Sequence, residues 1–207
     1  MARTAIPLYV TGQLVTSAHG NTYWRDNEAA HWAAIVAKGL VLIETKLLGA
    51  PAASFDFTAI PATYNHLKLM VDARGTTVAA SEFLFLRFNN DSGNNYDHQN
   101  LYGIANAPGA AELFTQAAIS IGNCAAGTAA AGLSGSAVVF IPNYKDTVFN
   151  KTLIANSTYK LGVGGGDMAA KFTGGFWRSA AAINRITIYP SANNYDTGSI
   201  ASLYGLI

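Results

Sequence analysis

Residues 83–103 read FLFLRFNNDSGNNYDHQNLYG and join an apolar run to a loop that is rich in Asn, Asp and Gly. The apolar run, residues 83–88, is interrupted only by Arg87 and is too short for an ordinary helix. It therefore predicts a strand that is covered on both faces. Residues 89–95 tolerate left-handed backbone and can satisfy their own amides, which is typical of a tight turn or of a site for a bound ion.

The sequence on both sides of this stretch contains further short strand patterns. Residues 67–74 alternate most regularly, and they should pair antiparallel with residues 83–88 because the intervening loop is short enough for a hairpin. Other strands are predicted at residues 40–48, 55–57, 138–141, 148–154, 159–163, 172–178, 183–189 and 200–207, around Phe114 and at residues 119–121. Roughly nine or ten short strands separated by turn signals indicate a mainly β fold, a jelly-roll-like β-sandwich.

An N-terminal arm and α-helix, residues 1–39, precede the predicted sandwich domain of residues 40–207. Pro7 opposes helix, so the first residues are expected to form an extended arm. Helical spacing follows as far as Lys38, and Gly39 suits the position just past a helix end.

The predicted helix carries large side chains on one broad face, including Trp24 and Trp32. An isolated helix of this kind needs a surface to cover. That surface belongs either to the sandwich of the same chain or to another copy or a larger assembly, and the sequence leaves both alternatives open.

The composition excludes several classes of partner. Charged residues make up 12% of the chain and the formal net charge is +1, so no overall field exists to hold nucleic acid or an anionic membrane surface. We expect neither a membrane-spanning helix nor an export signal, because no run of about 18 apolar residues occurs. The low charge suits a subunit buried against neighbours in an assembly, although an uncharged extracellular domain would share it.

Small residues dominate residues 105–137. Ala and Gly let backbones approach closely, which fits either a tight subunit contact or a flexible loop. The single cysteine, Cys124, has no partner for a disulfide or a zinc pattern and is expected to be an inert apolar residue.

No catalytic motif is found. The glycines of residues 162–166 lack the Lys-Ser/Thr of a phosphate loop, and residues 132–136 fail the spacing of a nucleophile elbow. The four histidines are scattered and are expected at the surface or in interfaces, and no two acids are singled out for glycosidase chemistry. The sequence predicts a protein that is not an enzyme. An aromatic platform for sugar is conceivable from a set of four side chains for which core or interface packing is favoured: Tyr96, Tyr102, Trp177 and Tyr195.

The polar turn is the main site candidate. Asn89, Asp91, Asn95 and Asp97 offer the hard oxygen ligands that Ca²⁺ prefers. Two carboxylates are few for calcium, and the final bidentate Glu of a helix-loop-helix site is missing. A turn that satisfies its own polar groups is therefore favoured over a bound ion, and no other cofactor is expected.

Several segments resemble proteins of tailed-bacteriophage virions. TGQLVTSA at residues 11–18, running into NTYWRDN at residues 21–27, is similar to the opening of many such proteins, where it precedes an outer domain. Three later segments, FTAIPATYNHL at 57–67, LRFNNDSGNNY at 86–96 and GSIASLYG at 198–205, resemble pieces of a group of phage structural proteins in order and spacing. Asn90 departs from the pattern, which often has Gly there.

The resemblance implies a jelly-roll-like sandwich displayed on the virion, often as a trimer. The expected function is that of a non-enzymatic structural protein, either a capsid decoration (cement) protein or a short tail fibre, assembled in the host bacterial cytoplasm. Its expected partners are itself and other virion proteins. The alternative is a module of the tail that binds a host-surface carbohydrate or receptor. Docking to the virion is assigned to the N-terminal segment, through Tyr9, Tyr23, Trp24, Arg25, Asp26, Trp32 and Ile35.

Overall fold

The computed structural model describes residues 39–164 and 167–207. The predicted arm and helix, with every docking residue from Tyr9 to Ile35, lie outside the described residues. The described chain forms strands β1 (Leu40–Leu47), β2 (Phe55–Phe57), β3 (His66–Ala73), β4 (Ser81–Phe88), β5 (Tyr96–Ile104), β6 (Ala107–Gln116), β7 (Ile119–Ala125), β8 (Gly135–Ile141), β9 (Lys151–Lys160), β10 (Met168–Trp177), β11 (Ile186–Pro190) and β12 (Ile200–Leu206). The predicted mainly β fold is confirmed.

The strands form two antiparallel sheets around one core. The larger sheet has the order β1-β12-β3-β8-β9-β10-β5-β6, and the smaller has the order β2-β11-β4-β7. Inward side chains of both sheets make a common cluster in which Leu69 and Leu203 of the larger sheet and Leu86 and Ile188 of the smaller are fully buried. Buried and exposed residues alternate along the strands, and the buried ones form the core, as expected for antiparallel sheets with one face in solvent.

The prediction that residues 83–88 are covered on both faces is wrong. Leu84, Leu86 and Phe88 are fully buried, whereas Phe83 on the opposite face is 48% exposed. The run looked continuously apolar because phenylalanines occupy outward positions too. Those outward rings are an unusual feature of the smaller sheet and bear on the site described below.

The predicted pairing of residues 67–74 with residues 83–88 is also wrong. β3 lies between β12 and β8 in the larger sheet, and β4 lies between β11 and β7 in the smaller. Both strands have one apolar face, and each buries it in the common core from its own sheet instead of lying beside the other. The connection changes sheets, and bridges from Arg74 to Ala125 and from Gly75 to Tyr195 hold it there.

Residues 148–154 and 159–163, predicted as two strands, contribute to a single strand, β9. The segment between them looks polar enough for a turn, but its residues continue the alternation. Ala155 and Ser157 point inward and are buried, while Asn156 lies on the outer side. Val148 and Phe149 precede the strand and are exposed.

The small residues of 105–137 serve the packing of the two sheets. Gly122 of β7 lies so close to β9 that a Cβ there would be 2.5 Å from Cβ of Ser157. Gly135 of β8 approaches the β7 backbone equally closely, since its Cβ would lie 2.5 Å from Cα of Cys124. At these positions the close approach is made within the domain, and neither residue is in a loop. Cys124 itself is fully buried, in agreement with its predicted inert role.

Candidate functional site

The polar turn between β4 and β5 is fastened to a neighbouring loop. Asn89 and Asn90 have left-handed φ angles of 52° and 57°, which Asn tolerates better than most residues. The Asn89 side chain donates a 2.8 Å hydrogen bond to the carbonyl of Ala182 and accepts one of 2.9 Å from the amide of Asn184. Asn89, the first residue of the turn, therefore ties the turn to the loop that contains Ala182 and Asn184.

Asp91 is the hydrogen-bond acceptor at the centre of this turn. Its carboxylate accepts from the Gly93 amide at 2.9 Å, from Nδ2 of Asn95 at 3.0 Å and from Nε1 of Trp177 at 2.7 Å. Desolvation opposes ionisation, but the bonds from Trp177 and Asn95 prevail and lower the pKa of Asp91. The carboxylate is thus held ionised by N–H donors.

Asp97 has its own partners. Both of its oxygens accept from the Arg178 guanidinium, at 2.7 and 2.8 Å, and one also accepts from the Thr115 amide at 2.8 Å. Three of the four residues predicted as an ion or turn site therefore lie in the turn, and Asp97 is the second residue of β5. The two carboxylates bond to separate sets of donors. A calcium ion would have to compete with these donors. In the part of the chain that the structure describes, no group of three or more His, Cys, Asp or Glu side chains is placed to hold a metal.

A second candidate site is a cleft at one end of the larger sheet. It lies near the edge strands β6 of the larger sheet and β7 of the smaller, and it is lined by residues of β4, β5, β6, β7, β9 and β10. The cleft has a volume of about 530 Å³, which lies in the range of small-molecule sites. We refer to this space as the cleft.

The cleft holds a half-buried lysine. Nζ of Lys171, on β10, donates a 2.8 Å hydrogen bond to Oγ of Ser120 and lies 5.7 Å from the ring centre of Phe83. Burial lowers the pKa of Lys171 to about 8, so the amine keeps its positive charge at neutral pH. Among the described residues no carboxylate forms an ion pair with it.

Two polar residues of β5, His98 and Asn100, also line the cleft. His98 is 5% exposed, and its Nδ1 has no hydrogen-bond partner. Burial, assisted by the charge of Lys171, lowers the pKa of His98 to about 4 and keeps the imidazole neutral. Asn100 accepts a 2.9 Å hydrogen bond from Oγ1 of Thr173 through its amide oxygen, which leaves its amide nitrogen without a partner among the described side chains.

Aromatic rings form the apolar part of the cleft. Phe83 and Phe85 of β4 stack with ring centres 5.8 Å apart, and Phe85 contacts Tyr189 at 5.7 Å. Tyr102 of the β5–β6 hairpin also lines the cleft, and its ring lies over Gly109, the residue paired with it on β6. A side chain at position 109 would collide with that ring.

The burial of the four aromatic side chains decides whether they form a platform for sugar. Tyr96, Trp177 and Tyr195 belong to the core, as favoured on sequence, and only Tyr102 reaches the cleft.

The expectation of a surface or interface position is wrong for His98, which is buried. A signal for this was present: His98 and Asn100 follow Tyr96 at intervals of two, so the alternation places them inward with it. Lys171 had no such signal, because the cleft depends on which strands become neighbours.

A Ser–Lys contact with a lowered lysine pKa is also the arrangement by which some enzymes activate a serine nucleophile. Ser120 is only 4% exposed, so a substrate carbonyl has little access to its Oγ. The arrangement is better suited to binding: one ammonium, an imidazole and an amide beside aromatic faces.

Comparisons with known proteins return no assignment. No protein-family model and no curated protein matches the chain. Within residues 39–164 and 167–207, no helix has the length and apolar character needed to cross a membrane.

Proposed function

We propose that the protein is a non-enzymatic structural subunit of a tailed-bacteriophage virion. It docks through residues 1–39 and displays its sandwich, which we take to be jelly-roll-like, at the particle surface as a capsid decoration protein or short tail fibre. The subunit associates with copies of itself, as a homotrimer, and with capsid or tail proteins, after synthesis in the bacterial cytoplasm. The resemblance of the N-terminal segment supports this role.

One structural observation carries the proposal: apolar side chains cluster on the outer face of the larger sheet. In one cross-strand row, Met70 is paired with Val138 and Phe172 with Leu101, and only Asn156 lies between the two pairs. The adjacent row pairs Phe140 with Ile154. We call these residues, Met70, Val138, Phe140, Ile154, Phe172 and Leu101, the outer face.

The outer face remains accessible in the single chain. Leu101 is 53% exposed, Ile154 47% and Phe172 42%. Clusters of exposed large apolar side chains mark surfaces that become covered by a partner. The chain enters the sheet at the edge strand β1, where Leu40 and Leu42 are exposed too, so the N-terminal segment joins the sandwich beside this surface.

The docking role is tested in the full chain by the double substitution Trp24→Ala and Trp32→Ala. We expect the variant to keep its strand signal in circular dichroism and to lose binding to phage particles that lack the native protein. Phe149→Ala, at an exposed aromatic residue of the loop before β9, is the matched control. Normal decoration by the double variant would overturn the docking role.

Self-association is tested separately by light scattering. Phe172→Asp should convert trimers to monomers because it places a charge within the outer face. Val78→Asp, at a residue of the loop between β3 and β4 that is 89% exposed, should leave the mass unchanged. A monomeric native protein at high concentration would contradict the trimer.

The second candidate function, adhesion to a host-surface carbohydrate, is favoured by the cleft. A cavity that combines aromatic faces with unpaired polar groups is the form that small-ligand sites take. The two functions are compatible, since a displayed subunit can also bind the host.

A further inference from the structure

We propose that the cleft binds an acidic sugar, a pyranose that carries a carboxylate. The inference rests on the second candidate function and gives its ligand chemistry; it does not depend on the virion role. Three features carry it: an uncompensated ammonium, the free amide nitrogen of Asn100, and aromatic rings in the lining of the cleft.

The charge of the cleft calls for an anion. Lys171 donates one N–H to Ser120 and has no acidic partner in the described chain. No Asp or Glu is among the residues that line the cleft. A partly desolvated cation without a counterion gains free energy from an anionic ligand, since opposite charges attract strongly where water is scarce.

The number of cations selects the kind of anion. A single ammonium matches the single charge of a carboxylate, whereas phosphate sites usually present Arg or a cluster of backbone amides as well. No arginine lines the cleft. The carboxylate is therefore the anion that fits.

The remaining polar groups suit the hydroxyls of a sugar ring. Asn100 has an amide nitrogen to donate, and neutral His98 presents a buried Nδ1 that no protein group satisfies. The Asn100 amide can donate to a hydroxyl of the sugar ring, whereas Nδ1 of His98 is closed off from solvent, and His98 contributes as part of the cleft lining.

The aromatic rings provide the apolar contact. Phe83 of β4 is 48% exposed and Tyr102 of β5 36% exposed, and both line the cleft. The C–H face of a pyranose is apolar and packs against such rings, while its hydroxyls point to the donors. The volume of about 530 Å³ admits one or two sugar residues.

The test titrates the full chain with D-glucuronate, D-glucose and acetate, and follows the backbone amides by NMR. We expect glucuronate to shift the amides of His98, Asn100 and Lys171, with glucose and acetate each at least about tenfold weaker, because neither supplies both the charge and the ring. Equal binding of glucose would overturn the role of the charge. Equal binding of acetate would overturn the role of the sugar.

Lys171→Met provides the matched variant. Replacing a partly buried ammonium by an apolar chain of similar length is expected to preserve folding, so the loss of glucuronate binding cannot be ascribed to unfolding. Lys68→Met, on the outer side of β3, should bind as the native protein does. Unchanged binding by Lys171→Met, or labelling of Ser120 by a fluorophosphonate, which would reveal a reactive nucleophile, overturns the proposal. Particle decoration by Lys171→Met separates this site from the virion role, which should be unaffected.

Discussion

Nε1 of Trp177 lies 2.7 Å from Oδ2 of Asp91. The indole belongs to the core, where it packs on Phe88 and Tyr96, and the carboxylate belongs to the polar turn. This hydrogen bond joins the end of β10 to the connection between β4 and β5, and so links the two sheets through a buried ring.

Asp91→Ala should destabilise the fold by about 2 kcal/mol, because the substitution leaves the buried indole N–H without an acceptor and frees the donors of the turn. Urea unfolding followed by tryptophan fluorescence measures the change. Asp72→Ala, at an exposed position of β3, should change stability little. A loss for Asp91→Ala no larger than for Asp72→Ala would show that the bond contributes nothing.

Calcium should have no effect on the stability of the turn. The oxygens of Asp91 and Asp97 already accept N–H hydrogen bonds. An ion present at a hundred times its Kd would add about 2.7 kcal/mol to the free energy of unfolding. We expect thermal melts in calcium chloride and in EDTA to coincide, and a calcium-dependent rise that disappears in Asp91→Ala would establish an ion site instead.

Stability should fall as the pH drops from 6.5 towards 4. Burial and the nearby Lys171 charge lower the pKa of His98 from 6.5 to about 4 in the folded protein. Between these values the unfolded chain binds the proton and the folded chain does not, so acid favours unfolding by up to about 3 kcal/mol. From pH 6.5 to 4, the unfolding free energy of the native protein should fall relative to that of His98→Gln. Parallel curves would contradict the shift.

Gly122→Ala should separate the sheets locally and cost about 1–3 kcal/mol, because the new Cβ would lie 2.5 Å from that of Ser157. Gly174→Ala is the matched control. It also adds a methyl group within a strand, but nothing lies within 4 Å of the new Cβ, and the smaller entropy of the unfolded chain makes it neutral or stabilising by up to about 1 kcal/mol. Similar values for the two variants would refute the close approach of β7 and β9.

The sequence predicts where the strands lie better than it predicts which strands pair with each other. Alternation located β3 well, since Leu67, Leu69 and Val71 are all buried. Pairing could not be read in the same way, because an apolar face is buried equally well by a strand beside it or by a sheet opposite. The polar turn was recognised from Asn and Gly, whose backbone preferences are local. The cleft was not, since it arises where distant strands β4, β6 and β10 come together.

Beyond Tyr96, the β5–β6 hairpin supplies no residue to the core cluster. The exposed positions of this hairpin, Tyr102 among them, therefore lie outside the apolar core. Substitutions at these positions should reshape the cleft while the body of the protein keeps its stability.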